Sequence, residues 1–484
     1  MGACWAKMTL LFTDYEFIIF LVSACLIFWT LRKFLQIQNL WLLGISYFFY
    51  AYGNIYLLFI ILGDTVLNFF SGILISTTNQ VKRRKSILIL SIVLNLSFLG
   101  IFKYYNFFGE VFIKLINIIG LQITFTAVHF IFPIGISFFI FHVISYNIDI
   151  FNTKCTATRN FIDFALYVAF FPQLVAGPIV RAFDFLPQCL KPRKVTGREM
   201  AWGLTLFTLG MFEKVAVADG LLAPVAEAVY EMRSYPDFIS SWCGTLAFAC
   251  QIFCDFAGYS ISAIGVAKCL GFNLPNNFRF PYAATGFSDF WRRWHISLSS
   301  WLRDYLYIPL GGNRKGALQT RINLMLTMLI GGLWHGASWT FVAWGGLHGL
   351  YLIMERLARK WVPASEIWRK VPAKISLGLV TFIMVSFAWV FFRSETFEQA
   401  FLMSKAMLGI GHESPDLRLD STDIVITLAV CLMILAFHWL MRDFSLEKIA
   451  EKIPWWAMSI IIAGMLVAIV ILSGEDRAFI YFQF

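Results

Sequence analysis

The stretch that decides the fold is residues 278–349, which read FRFPYAATGFSDFWRRWHISLSSWLRDYLYIPLGGNRKGALQTRINLMLTMLIGGLWHGASWTFVAWGGLHG. Its first half is aromatic and basic, with too many charges for a simple membrane span. Its second half is apolar, and we expect it to be interrupted at Gly331-Gly332 and at Trp334-His335-Gly336. Polar groups in a bilayer core are costly and usually functional, so His335 calls for a functional explanation.

The composition of the whole chain is that of a membrane protein. Of its 484 residues, 59% are hydrophobic and 14% are charged, whereas about a quarter are charged in soluble domains. Apolar runs predict an all-α polytopic protein with about eleven transmembrane helices and shorter re-entrant or interfacial pieces. The predicted spans lie near residues 14–31, 38–52, 55–77, 86–108, 131–149, 160–180, 199–222, 239–270, 374–393, 422–441 and 455–473.

Charge placement predicts how the chain is oriented. The net charge of +10 comes largely from basic loops, which favour the cytoplasmic side. Between the basic loops at 314–321 and 356–374, the chain must enter the membrane and return. A helix over residues 322–334 would rise only about 20 Å, so we expect a hairpin with His335 at its turn, facing a cavity reached from the cytoplasm.

Residues 285–310 form a second unusual segment, because charges and tryptophans alternate along it. Read as one helix, positions 289, 292, 293 and 296 would share a face. We expect a re-entrant or interfacial element whose arginines face water or phosphate.

Four motifs resemble those of a known family. They are FPQLVAGPIVR (171–181), FCDFAGYSISAIG (253–265), FSDFWRRWHISLSSWLRDYLYIPLGGNR (287–314) and GGLWHGASWTFVAWGGLHG (331–349). They resemble the membrane-bound O-acyltransferase (MBOAT) family, in particular its alginate-type branch of bacterial polysaccharide O-acetyltransferases. The final FIYFQF is also similar to that branch, and we expect this tail to pack back on the protein. We treat residues 1–484 as one transmembrane domain, with a catalytic core near 165–350.

The resemblance implies a ring of tilted helices around a central funnel or tunnel. It implies that an acyl thioester enters from the cytoplasm, and that a hydroxyl acceptor enters from the other side. It places the family's essential histidine at His335 and a second motif histidine at His295. The IPLGGNR run favours the acetylating branch over the one that adds D-alanine to teichoic acid.

His335 fits the role of general base, because a histidine titrates near neutral pH and burial favours its neutral form. The residues alone leave a helix-packing role equally open, and the resemblance favours catalysis. For His295, the other catalytic candidate, orienting the donor or fixing its segment is favoured over direct chemistry. The predicted substrate-binding residues are Trp334, Asp289, Arg292, Arg293, Arg303 and Asp255.

Each of these candidates also has a plain structural interpretation. The arginines suit the phosphates of coenzyme A, but positive-inside charge would also explain them. Asp289 is expected to form a salt bridge with Arg292 or Arg293. Asp255, in the FCDFAGYSISAIG motif, is expected to line the cavity.

We therefore predict an enzyme of the bacterial inner membrane that passes acetyl from acetyl-CoA to an extracytoplasmic acceptor, for O-acetylation of a polysaccharide such as alginate. The resemblance implies a lipase-like (SGNH) partner outside the membrane. We expect no nucleic acid partner, no metal and no permanently bound cofactor. D-alanyl or lipid acylation, and a proton-coupled transporter using His335, stay open. The chain shows no internal repeat, which disfavours the transporter.

Overall fold

The computed structural model describes residues 10–121, 123–128, 133, 135–174, 177–231, 236–361, 370–410, 419–474, 477 and 479–482. Throughout these ranges the regular elements are helices and no strand occurs, which confirms the predicted all-α class. The last two residues of the FIYFQF run lie outside the described residues.

The first of two compact units comprises Met1–Met200 and Val266–Pro275. Its helices are α1 (Tyr15–Thr30), α2 (Leu35–Ala51), α3 (Ile55–Thr77), α4 (Val81–Leu99), α5 (Tyr105–Ile118), α6 (Ile136–Phe151), α7 (Phe161–Ala169), α8 (Phe171–Leu174) and α9 (Ala182–Cys189). Two of these helices have an asparagine as the N-cap residue. Asn54 accepts a hydrogen bond from the Tyr56 amide, and Asn160 accepts one from the Ile162 amide, so each satisfies a donor of the first helical turn.

The second unit comprises Ala201–Gly265 and Asn276–Phe484. Its early helices are α10 (Gly197–Met211, which begins in the first unit), α11 (Ala223–Tyr230), α12 (Phe238–Cys269), α13 (Phe287–Trp291) and α14 (Ile296–Leu302). The later ones are α15 (Gly316–His335), α16 (Trp339–Trp361), α17 (Val371–Arg393), α18 (Phe397–Met407), α19 (Ser421–Met441), α20 (Leu446–Ala450) and α21 (Trp455–Ile471). Two π-helical segments, Phe212–Leu222 and Arg303–Tyr307, and two 3₁₀ turns, Pro281–Ala283 and Ile480–Phe482, complete it.

Five stretches among the described residues are long and apolar enough to cross a membrane. They are Ile55–Thr77, Val81–Ile118, Phe238–Cys269, Val371–Arg393 and Ser421–Met441. Three shorter apolar helices, α1, α6 and α21, add to this set. No residue of helix α21 is fully buried, and an apolar helix with this much exposed surface needs lipid around it. These helices identify a multi-pass membrane protein.

Two predicted segments have a different form in the structure. The span predicted at 160–180 begins as α7, breaks at Phe170, where the backbone is not helical, and continues as the single turn α8. Residues 110–118, part of a stretch at 110–121 that we expected to be a short interfacial piece, instead belong to α5, which continues α4 through a π-helical turn. In the first case Pro172 is the second residue of α8; proline is tolerated in the first turn of a helix but not in the interior of a continuous one, so the break at Phe170 lets a new turn begin.

Candidate active site

A hairpin of α15 and α16 places His335 at its tip. Helix α15 runs without a break through Gly331-Gly332 and ends only at His335, where Gly336 adopts an extended backbone. The expectation that the glycine pair interrupts the helix is therefore wrong. The glycines serve close packing instead, because a Cβ atom at Gly332 would lie 2.3 Å from the Phe341 carbonyl oxygen.

Helix α15 is also longer than the sequence suggested, because it begins at Gly316 and has 20 residues. A helix of that length rises about 30 Å, which is the thickness of a bilayer core. The shorter rise calculated from residues 322–334 is therefore wrong. The hairpin itself is confirmed, whereas the depth of His335 and a cavity open to the cytoplasm stay predictions.

Aromatic rings surround the imidazole of His335, which is only 3% exposed. Its ring centroid lies 5.0 Å from those of Trp334 and Trp344, 5.3 Å from Tyr481 and 5.4 Å from Phe392. The Trp344 ring stands perpendicular to it. These side chains come from both helices of the hairpin, α15 and α16, from α17 and from the 479–482 segment, so four parts of the second unit build the environment of one histidine.

His295 lies beside His335, although 40 positions separate the two residues. The ring centroids are 6.4 Å apart, and His295 is completely buried against the edge of the Phe256 ring. Its backbone has the left-handed conformation, with φ of 41°, which is uncommon outside glycine. Asn277 holds this turn, since it accepts hydrogen bonds from Ile296 and Ser297.

The turn at His295 corrects the prediction of one helix over residues 285–310. Helix α13 ends at Trp291 and α14 starts at Ile296, so position 296 does not continue the face of 289, 292 and 293. Sequence periodicity could not reveal this break, because Asn277 fixes the turn from another part of the chain.

Several buried polar atoms near His335 lack a hydrogen-bond partner within the described part of the chain. They are both ring nitrogens of His295, the indole nitrogen of Trp344 and the hydroxyl of Tyr481. Buried polar groups in proteins are nearly always paired. These atoms therefore offer hydrogen bonds to a polar group that enters beside the His335 ring.

The position of His335 at the end of α15 has an electrostatic consequence. The last carbonyl groups of a helix have no partner within it and give that end a partial negative charge. A positive charge there is stabilised by about 0.3–1 kcal/mol, and by up to about 2 kcal/mol when partly buried. An imidazole at this position is suited to accept a proton.

Asp289 and Arg293 belong to an ion-pair network, which confirms the salt bridge expected of Asp289. Its carboxylate lies 2.9 Å from Arg293 and 3.1 Å from Arg442. Arg293 also donates to the carbonyl oxygens of Arg279 and Arg442. These contacts hold the segment before His295 in place. The predicted role of Asp289 and Arg293 in substrate binding stays a prediction.

Arg292 and Arg303 are exposed, unlike Arg293. The Arg303 side chain is 63% exposed and lies 2.7 Å from Asp304. The hydrogen bond to Asp304 raises the pKa of Arg303, so its guanidinium stays charged. Of the three predicted substrate-binding arginines, these two are the ones exposed to solvent.

Asp255, another predicted substrate-binding residue, is buried and engaged by protein groups. Its Oδ1 lies 2.5 Å from the Lys214 ammonium, and its Oδ2 accepts a hydrogen bond of 2.9 Å from the Ile480 amide. Lys214 also lies 2.9 Å from Asp219. Its partners within the protein were not predicted, and the predicted cavity-lining role stays a prediction.

The contribution of the 479–482 segment to the site was missed by the sequence analysis. The expectation that the tail packs on the protein is confirmed, since Phe479 and Ile480 are buried. Its placement of Tyr481 beside His335 was not foreseen. The aromatic residues of this segment were a signal of burial, but nothing in the sequence indicated the position of the partner.

Comparison with known proteins identifies the class. A model of the MBOAT, membrane-bound O-acyltransferase family matches residues 154–395. A probable alginate O-acetylase of Pseudomonas aeruginosa is 41% identical over 421 residues, which cover 86% of this chain and 79% of the relative. The chain therefore belongs to the membrane-bound O-acyltransferase family, and it is a multi-pass membrane O-acyltransferase.

Two further relatives carry different names. A peptidoglycan O-acetyltransferase of Helicobacter pylori is 38% identical over 398 residues, covering 77% of this chain and 74% of the relative. A teichoic acid D-alanyltransferase of Bacillus subtilis is 26% identical over 253 residues, covering 48% of this chain and 61% of the relative.

Proposed function

We propose that this protein transfers acetyl groups from cytoplasmic acetyl-CoA to an extracytoplasmic hydroxyl, for O-acetylation of a cell-surface or secreted polysaccharide of the alginate kind. The observation that carries the proposal is the pairing of His335 and His295 inside a buried aromatic environment at the hairpin tip. The names of relatives 41% and 38% identical, an alginate O-acetylase and a peptidoglycan O-acetyltransferase, support acetyl as the group transferred.

His335 acts as the general base in this proposal. It takes the proton of the acceptor hydroxyl while that oxygen forms a bond to the acetyl carbonyl carbon. The bond from that carbon to the coenzyme A sulfur then breaks, and the thiolate leaves with the proton that the imidazolium returns. General base catalysis is worth about 10²–10⁴-fold, and the carbonyl end of α15 stabilises the imidazolium between the two proton transfers.

The unpaired nitrogens of His295 and Trp344 suit the developing charge on the acetyl oxygen. A neutral imidazole and an indole each offer one N–H donor. Both atoms are buried in aromatic surroundings, where a hydrogen bond to a charged oxygen is stronger than in water. In this proposal His295 and Trp344 stabilise the tetrahedral intermediate and Trp334 forms a wall of the site.

The donor and acceptor sides of the proposal rest on charge and on the relatives. Arg292 and Arg303 contact the phosphates of coenzyme A, because a guanidinium fork matches phosphate oxygens. The protein resides in the bacterial inner membrane. An SGNH-type partner outside that membrane receives the acetyl group and places it on sugar hydroxyls.

Proteoliposomes loaded with the purified protein and radiolabelled acetyl-CoA test this function. The His335→Ala variant should lower transfer of the labelled acetyl group to a hydroxyl acceptor added outside the vesicles by about 10²–10⁴-fold. His142→Gln is the matched control: His142 is also buried, its Nε2 accepts from the Val180 amide, and glutamine can replace that acceptor. It should stay within a few-fold of the parent.

Each outcome bears on a separate part of the proposal. Undiminished transfer by His335→Ala would remove His335 as the base. A parent protein that transfers D-alanine or palmitate from a thioester, but no acetyl, would overturn the choice of donor. Transport of protons with no acyl transfer would overturn the enzymatic function itself.

A further inference from the structure

A buried lysine between two aspartates lies close to the active site in the second unit. The Lys214 ammonium lies 2.9 Å from Asp219 and 2.5 Å from Asp255, and it is 1% exposed. Lys214 sits in the π-helical segment Phe212–Leu222, and such segments often occur at functional sites. The mechanism proposed above uses none of these three groups.

A second ion pair ties the end of the described chain to the same region. Arg477 donates to both carboxylate oxygens of Glu227, at 2.9 and 2.6 Å, and to the carbonyl oxygen of Asp219 at 3.2 Å. Asp219 is therefore shared, because its side chain contacts Lys214 and its backbone contacts Arg477. Five charged side chains form one connected network.

The network ends at the residues that contact His335. The Ile480 amide donates to Asp255, the residue to which Lys214 is paired. On one side of Ile480, Phe479 packs against Tyr259 with ring centroids 5.0 Å apart. On the other side, the Tyr481 ring lies 5.3 Å from His335. The hydrogen bond from the Ile480 amide to Asp255 thus links the buried ions to the segment whose Tyr481 ring lies beside His335.

Stability alone does not account for this arrangement. The network contains two cations and three carboxylates, and Lys214 and Asp255 are almost fully buried. Replacing buried ion pairs by apolar residues is often neutral or stabilising. Buried ionic groups are better suited to fix one geometry among several. Here the geometry that they fix is the register of Ile480 against α12.

We propose that Lys214 and Asp255 are positioning residues for the acyl transfer: they hold the 479–482 segment so that the Tyr481 ring packs beside the His335 ring. This inference rests on the proposed role of His335 as the base. A Tyr481 ring held in place restricts rotation of the imidazole and excludes water from it. Loss of either charged group lets the segment move, and the imidazole then loses its alignment with the acceptor hydroxyl.

Hydrogen–deuterium exchange of the whole protein in liposomes, followed by mass spectrometry, tests the segment directly. Exchange of the peptide that contains the Ile480 amide should be slow in the parent and at least about tenfold faster in Asp255→Ala and Lys214→Met, since protection falls as the segment opens. In the same preparations kcat for acetyl transfer should fall about tenfold or more, while KM for acetyl-CoA stays within twofold. A merely structural role would lower the amount of active protein without this correlation with exchange.

Asp255→Asn separates the two functions of the carboxylate. The amide keeps the volume of the side chain and an oxygen for the Ile480 amide, but it loses the charge that pairs with Lys214. Its exchange rate and its kcat should both lie between those of the parent and Asp255→Ala. This isosteric variant also carries the test if Asp255→Ala does not fold.

Asp163→Asn is the control from the first unit, because Asp163 is also a buried carboxylate and accepts from Asn39. It should leave exchange at Ile480 unchanged.

Faster exchange with unchanged kcat, or a lower kcat with unchanged exchange, would each overturn the positioning role. The exchange measurement needs no acyl donor, so a failure of the proposed function would show as inactivity of the parent and would leave the exchange result readable.

Discussion

At the scale of residues, burial separates two groups of arginines that the sequence analysis treated as one. The Arg293 side chain is 11% exposed and contacts Asp289, whereas that of Arg303 is 63% exposed. Sequence alone could not make this distinction, since both residues lie in the same charged segment. The two arginines should therefore differ in what their loss affects.

Replacing Arg303 by glutamine should raise KM for acetyl-CoA about three- to tenfold and leave kcat nearly unchanged, because an exposed phosphate contact acts mainly on binding. Added salt should shrink the effect, since screening weakens exposed charge pairs. Steady-state kinetics at two ionic strengths measure it.

Arg293→Gln is the informative comparison for Arg303→Gln. It removes one of the two arginines that pair with the Asp289 carboxylate, so thermal stability in detergent should fall, with no selective change in KM. An unchanged KM in Arg303→Gln would remove Arg303 from the donor site.

At the scale of elements, the α15–α16 hairpin depends on glycines where the two backbones meet. A Cβ atom on Gly345 would lie 2.2 Å from the Met328 carbonyl oxygen. At the next residue, Gly346, the nearest atom would be a Leu329 methyl at 3.5 Å, an ordinary contact. Small residues let membrane helices approach closely. Of these two glycines, the close approach requires Gly345 but not Gly346.

Gly345→Ala should therefore destabilise the protein by about 1–3 kcal/mol, which is typical of overpacking, and it should lower acetyl transfer because His335 is at the tip of the hairpin. Gly346→Ala should be neutral or slightly stabilising, since alanine favours a helix by about 1 kcal/mol over glycine. Thermal unfolding in detergent, with activity of the same samples, compares them. Equal behaviour of the two variants would contradict the close approach.

Sequence reasoning found the hairpin but not its internal structure. The basic loops at 314–321 and 356–374 both favour the cytoplasmic side, so a return at His335 could be predicted, but the full length of α15 could not. The role of Gly332 and Gly345 could not, because a glycine inside an apolar run is compatible with a break or with close packing. Only the position of the opposing backbone decides between them.

At the scale of the whole molecule, the fold class and the family could be predicted from the sequence. The residues that surround His335 from distant parts of the chain could not. The apolar composition reflects helices that face lipid, and the motifs carry the family. The contacts of Lys214 with Asp255, and of Ile480 with Asp255, join parts of the chain 41 and 225 positions apart. Such pairings depend on how helices cross, which periodicity along one helix does not contain.

Helix α21 has one more consequence, because it immediately precedes the residues that reach the imidazole. Its 17 apolar residues form a hydrophobic length of about 26 Å, and hydrophobic mismatch shifts such a helix at a modest cost in free energy. Vesicles made from lipids of increasing acyl-chain length should therefore change turnover while leaving affinity for the thioester constant. Bilayer thickness would then regulate the chemistry, with the surrounding lipid acting on the enzyme through the exposed apolar surface of α21.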